Sequence, residues 1–269
     1  MNSSGRLHFT KMHGCGNDFV VIEADSVIGL DLSELARQLC DRHFGIGADG
    51  LLVIGTSDIA DASMRIFNAD GSEAQMCGNG IRCVGKYIYD NKLTDSLTPA
   101  VQTLSGVKRL LLHSGHDDLV DSVTVNMGAA RLTADGVVSL IAGDRTFEVT
   151  PVSTGNPHCV VEVNDTMTFD VAGVGPQLEN HPYWPDKANI EFVTVESAHK
   201  LRQRTWERGV GETLACGTGA CAAAFAMVAN GRLQWPVEVA LPGGSLIIDN
   251  VDGCLMMTGP AAKVFEANL

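Results

Sequence analysis

Apolar positions in this chain fall mostly in short alternating or continuous runs, and only seldom at helical spacing. In the first half, runs at 7–10, 18–24, 51–54 and 63–68 predict strands, and 101–104 with 107–112 predict a hairpin about Ser105-Gly106. In the second half, strands are expected at 122–127, 146–152, 158–163, 189–195, 201–207, 237–241, 245–249 and 254–258, with Pro242-Gly243-Gly244 as a turn. Helical spacing appears over 31–44, through Leu32, Leu35, Ala36 and Leu39, with Asp31 or Ser33 as N-cap. It appears again over 81–91, and in the Ala-rich run from Cys216 to Gly231, which is apolar almost all round and therefore belongs in a core. Residues 1–8 read as a frayed tail, and the polar stretch 113–118 is the best domain boundary.

The two halves echo each other. Cys216 lies 139 positions after Cys77, and at that offset Gly78 matches Gly217, Gly80 matches Gly219, Glu73 matches Glu212, and Arg65 matches Arg204. Phe67 falls on Trp206, Asn91 on Asn230, and Gly16-Asn17 on Gly155-Asn156. A gapless internal repeat of this length sets the architecture. The fold class expected is α+β: two pseudo-symmetric domains, each a curled, mostly antiparallel sheet around a central helix, with the active site in the cleft between them. The expected domains are 1–118, with a C-terminal strand 261–269 returning to it, and 119–260.

A length of 269 residues agrees with about two domains. The formal net charge of −13 argues against nucleic acid or an anionic membrane as partner and leaves a small zwitterionic substrate open. No apolar run is long enough to span a bilayer, and residues 1–11 lack a signal-peptide core. Eight scattered cysteines fit a reducing, cytoplasmic setting better than a disulfide framework.

Chemistry concentrates at the repeated Cys-Gly-x-Gly. A helix start stripped of side chains presents backbone N–H groups and the positive dipole end to an anion, and a cysteine there is expected to hold a lowered pKa. Two such thiols, Cys77 and Cys216, facing one substrate are what inversion of a stereocentre needs: a base on one side and an acid on the other. Asn17, Asn68, Asn156 and Asn189 lie in loops or at strand ends near these segments; turn chemistry and a role in lining the site both remain open. Arg208 can grip a carboxylate bidentately, and Glu207 can meet an ammonium group or tune Cys216. His158 is either a tuning group for the other thiol or a structural histidine. A metal site is not expected, because Cys77/Cys83 and Cys216/Cys221 differ in spacing and lack a short Cys-x2-Cys knuckle. A redox disulfide between Cys77 and Cys216 is chemically open, but no Cys-x-x-Cys motif supports it.

Lys11-Met12-His13-Gly14-x-Gly16-Asn17-Asp18-Phe19, Asn68-Ala69-Asp70-Gly71-Ser72, Met76-Cys77-Gly78-Asn79-Gly80, Gly155-Asn156-Pro157-His158 and the run Glu207 to Gly219 together resemble the diaminopimelate epimerase family over nearly the whole chain. The resemblance implies an epimerase that uses no cofactor, pyridoxal phosphate included. It would convert LL-2,6-diaminopimelate to the meso form for lysine and peptidoglycan synthesis, and act as a homodimer. It implies Cys77 and Cys216 as the acid/base pair, and Gly78, Asn79, Gly217 and Thr218 holding the reacting carboxylate. Asn17, Asn68, Asn156, Asn189, Glu207 and Arg208 would bind the rest of the substrate, with His158 and Glu207 tuning the thiols. Three positions depart from the pattern: Cys15 and Phe265 replace residues common in the family, and Gly50 stands where some members bind substrate with Gln. A proline or hydroxyproline racemase is the nearest rival, and a thiol redox or zinc module the rival from another class.

Overall fold

The computed structural model describes residues 7–115 and 117–269, so the tail reading for 1–6, and His116 within the boundary stretch, lie outside the described residues. Residues 7 and 8 are not frayed. The Leu7 and Leu269 backbones exchange hydrogen bonds of 3.2 and 2.9 Å, and His8 opens a strand.

The chain forms two compact units, 1–125 with 259–269, and 126–258. In the first unit the strands run in the order Ala262–Asn268, His8–Gly14, Asn17–Glu23, Gly50–Gly55, Ala62–Asn68, Ala100–Thr103, Gly106–Ser114. All neighbours are antiparallel except Asn17–Glu23 with Gly50–Gly55 and Ala62–Asn68 with Ala100–Thr103. Helix α1 (Leu32–Cys40) lies on one side of this sheet, capped by the Asp31 carboxylate on the Ser33 and Glu34 amides. It buries Ala36 and Leu39 against Val20, Leu51 and Phe67. It stops at Cys40, short of the expected 44, because the Leu39 carbonyl accepts from Ile46 and Gly47 and turns the chain back. Helix α2 (Gly78–Asp90) packs against the strands His8–Gly14, Gly50–Gly55, Ala62–Asn68 and Gly106–Ser114. Ile81, Cys83, Val84 and Ile88 are fully buried along it.

The second unit repeats this plan. Its order is Val138–Ala142, Arg145–Ser153, Pro157–Glu162, Asn189–Ser197, Lys200–Glu207, Val237–Leu241, Gly244–Val251. The two parallel pairs recur at the equivalent places, Pro157–Glu162 with Asn189–Ser197 and Lys200–Glu207 with Val237–Leu241. Helix α3 (Val171–Glu179), which hydrophobic patterning does not announce, sits at the 139-residue offset from α1 and is capped by Asp170 as α1 is by Asp31. It buries Val171, Val174 and Leu178 with Phe192 and Trp184. Helix α4 (Gly217–Ala229) matches α2 residue for residue at that offset, and both end on an asparagine cap, Asn230 and Asn91. Its alanines let the surrounding strands close in from every side. The repeat extends to ion pairs: Arg65 grips Glu73 at 2.7 and 3.0 Å, and Arg204 grips Glu212 at 2.6 and 3.0 Å.

Candidate active site

Both central helices begin on a cysteine. Cys77 and Cys216 are N-caps in extended backbone (φ −137°, ψ 124° and φ −122°, ψ 111°). Each sulfur accepts from the amide three residues on, Gly80 N at 3.5 Å and Gly219 N at 3.4 Å. The amides between, on Gly78, Asn79, Gly217 and Thr218, belong to the helix turn whose N–H groups have no intrahelical acceptor.

In the first unit the Asn17 amide oxygen gathers the helix start, accepting from Cys77 Sγ at 3.7 Å and from Asn79 Nδ2 at 3.1 Å. Asn17 Nδ2 donates to Asp49 at 2.8 Å. Behind Asn79 the fully buried Arg82 donates to Asn79 Oδ1 at 2.9 Å and to the carbonyls of Gly78 and Pro260, both at 3.2 Å. Cys15, held at φ 54°, receives Arg82 Nη2 at 3.9 Å; burial pushes its thiol up against the pull of that guanidinium. Asn68 stands apart from this network: exposed at a strand end, its side chain donates to Ser72 Oγ at 2.9 Å.

In the second unit Cys216 is buried, with Thr218 Oγ1 at 3.5 Å. Its thiol is pushed well above the ordinary range, first by burial and then by the Glu207 and Glu191 carboxylates, which outweigh the bonds from Thr218 and Gly219. The lowered pKa expected from a helix start is therefore wrong for Cys216: loss of water and two nearby negative charges exceed the dipole. Glu207 accepts from Thr213 Oγ1 at 2.6 Å and hydrogen-bonds Cys216. Burial first, and then Glu191, raise the Glu207 carboxyl above its usual range. Asn189 Oδ1 accepts from the Arg208 amide at 3.0 Å, and Asn189 Nδ2 donates to the Pro157 carbonyl at 3.1 Å. The Arg208 guanidinium donates to the Asp186 carbonyl at 2.8 Å. Asn156 Oδ1 meets His158 Nε2 at 3.0 Å, and His158 Nδ1 meets Glu191 Oε1 at 2.8 Å.

The expected residues thus form one group about each thiol: Asn17 and Asn79 with Cys77; Glu207 and Thr218 with Cys216, beside the linked Asn156 and His158. Sequence reasoning passed over Arg82, Glu191 and Gln203. Glu191 sits inside an apolar strand run, and the signal that exposes it is the repeat, which puts Leu52 at the matching place.

The diaminopimelate epimerase family profile matches residues 9–133 and 150–264. A diaminopimelate epimerase of Desulfitobacterium hafniense is 48% identical, over 98% of each chain. Among solved structures, a Bacillus anthracis phenazine biosynthesis protein of the PhzF family aligns over 99% of both chains with a TM-score of 0.76 at 15% identity. A probable proline racemase from Agrobacterium radiobacter aligns over 98% of this chain and 92% of its own, with a TM-score of 0.73 at 15% identity. At that identity the two structures are alike in fold.

Proposed function

The chain belongs to the diaminopimelate epimerase family, and from that premise we propose how its residues divide the reaction. The enzyme is an isomerase that interconverts LL- and meso-2,6-diaminopimelate by a two-base thiol mechanism, within lysine biosynthesis. The raised pKa of Cys216 supports its starting as the neutral thiol, and Cys77 acts as the base once it has given up the proton it directs at Asn17 Oδ1. Cys77 takes the α-proton, the electron pair stays on the substrate as a carbanion, and Cys216 delivers its own proton to the opposite face. The product leaves Cys77 protonated and Cys216 as thiolate, the starting state for the reverse reaction. Amides of Gly78, Asn79, Gly217 and Thr218 hold the reacting carboxylate, whose negative charge grows as the proton leaves. Asn17, Asn68, Asn156, Asn189, Glu207 and Arg208 hold the remainder of the substrate, Glu207 also tunes Cys216, and His158 tunes the other thiol. No cofactor enters this scheme. The enzyme works as a homodimer in the cytoplasm on a small-molecule substrate, without nucleic acid or membrane partners.

The observation that carries the reading is the duplicated cysteine N-cap, each sulfur bonded to the second glycine of its Cys-Gly-x-Gly. The test is NMR of LL-diaminopimelate with purified, reduced enzyme in D2O and no pyridoxal phosphate added. Meso product deuterated at its α-carbon is expected, with no exchange into proline. Exchange into proline without reaction of diaminopimelate would reassign the substrate.

A further inference from the structure

Behind Cys216 the second unit buries a polar cluster. His158 and Glu191 are both fully buried, with Nδ1 and Oε1 2.8 Å apart. Asn156 Oδ1, which meets His158 Nε2 at 3.0 Å, also accepts from Thr154 Oγ1 at 3.1 Å. Gln203 is fully buried alongside, its Nε2 donating to Thr205 Oγ1 at 2.8 Å. A Cβ placed on Gly219 would fall 2.7 Å from Glu191 Oε1 and 3.2 Å from both Cys216 Sγ and Gln203 Nε2. Carboxylate, amide and thiol therefore converge on the first turn of α4.

The first unit builds the same place from hydrocarbon. At the 139-residue offset, His158, Glu191 and Gln203 correspond to Phe19, Leu52 and Met64, all buried. A Cβ on Gly80 would meet Leu52 Cδ2 at 3.2 Å and Cys77 Cβ at 3.5 Å, so Leu52 stands to Cys77 as Glu191 stands to Cys216. One topology packs both sets, so the fold does not require the polar one. Burying it is unfavourable: among the described residues, Glu191 Oε2 and Gln203 Oε1 have no hydrogen-bond partner. A cluster that packing does not need, built into one of the two repeated helix starts and replaced by hydrocarbon in the other, is there for its chemistry on Cys216.

We propose that Glu191 is a positioning residue that makes the two thiols of the duplicated site unequal, by holding His158 toward Asn156 and keeping a carboxyl group against Cys216. The inference rests on the two-thiol reading of the enzyme. The titratable groups around Glu191 are His158, Cys159, Glu207 and Cys216. In the direction in which Cys216 supplies the proton, the rate falls at alkaline pH as that thiol ionises. Removing a neighbouring negative charge should move this limb down by about one pH unit.

The experiment measures pH–rate profiles of wild type and Glu191→Gln. It also follows the pH dependence of Cys216 alkylation by iodoacetamide through peptide mass spectrometry, which needs no activity. Both transitions should shift to lower pH in Glu191→Gln, and KM should rise several-fold as Asn156 loses its anchor. A second variant, His158→Phe with Glu191→Leu and Gln203→Met, copies the first unit's packing. It should fold, with Tm unchanged or higher, and lose at least about 100-fold in kcat, the range of a lost acid–base group. A merely structural cluster would lower Tm in both variants and leave the alkylation transition where it is in wild type. Unmoved transitions in Glu191→Gln, or failure of both variants to fold, would overturn the proposal. If wild type does not epimerise diaminopimelate while the Cys216 transition still shifts, the functional reading fails and the role of Glu191 beside the thiol stands.

Discussion

Cys77 and Cys216 occupy the same cap position with the same amide bond, yet their surroundings differ at single residues. Asn17 offers an amide oxygen to Cys77, whereas Glu207 and Glu191 set negative charge near Cys216. Inversion needs both partners at once, so Cys77→Ala and Cys216→Ala should each cut kcat by at least about 10²–10⁴-fold in both directions, the range of a lost general acid or base. A coupled or NMR assay reads this, and either variant within tenfold of wild type would contradict the pair. The thiols and most of their neighbours were legible in the sequence, because Cys-Gly-x-Gly and its echo are local patterns. The sign of the Cys216 shift was not. It depends on burial and on two carboxylates carried by strands distant in the chain, and local sequence contains neither quantity.

At the scale of elements, α3 shows where patterning stops. Gly173, Gly175 and Pro176 weaken its helical signal, yet the repeat places it in register with α1, whose spacing is plain. Tertiary packing decides: a Cβ on Gly175 would lie 2.6 Å from the Trp206 ring. Gly175→Ala should gain about 1 kcal/mol of helix propensity and lose about 1–3 kcal/mol to overpacking. The expected net is a lower Tm, measured by circular dichroism; a raised Tm would show that Trp206 yields freely. The two cysteine-capped helix starts allow a matched comparison. At Gly80 the nearest atom to an added methyl is the movable Cδ2 of Leu52, 3.2 Å away, and at Gly219 it is Glu191 Oε1, 2.7 Å away and pinned by His158. Gly219→Ala should therefore reduce kcat/KM by roughly tenfold more than Gly80→Ala, about 1.4 kcal/mol of barrier. Equal losses would mean that the Glu191 carboxyl is not held in place.

For the molecule as a whole, the paired topology explains why so few local signals specify so much structure: one plan of strands, cap and central helix is used twice. Its pH stability follows from groups buried in that plan. Burial raises the thiols of Cys40 to about 11 and Cys83 to about 12. Above about pH 9, the unperturbed thiol value, the unfolded chain releases protons that the native protein retains, and stability is progressively lost through those two values. Burial would raise Asp18, but hydrogen bonds from Arg42 and Lys11 prevail and hold it at about 2. Its contribution is full above pH 3.8 and disappears as pH falls through about 2. Asp18→Asn should accordingly lower Tm at neutral pH, with the gap to wild type closing toward pH 2; a gap independent of pH would rule out the ion cluster as its source.

The central claim is that two different thiols act on one carbon, and the isotope content of the first product tests it most directly. LL-diaminopimelate is incubated with enzyme in D2O and sampled at low conversion. Delivery by a second, solvent-equilibrated thiol predicts meso product carrying one deuterium at the inverted centre, while the remaining LL substrate keeps its protium. Meso product that retains the original protium would mean that a single group removes and returns the proton, and the two-thiol account would be wrong.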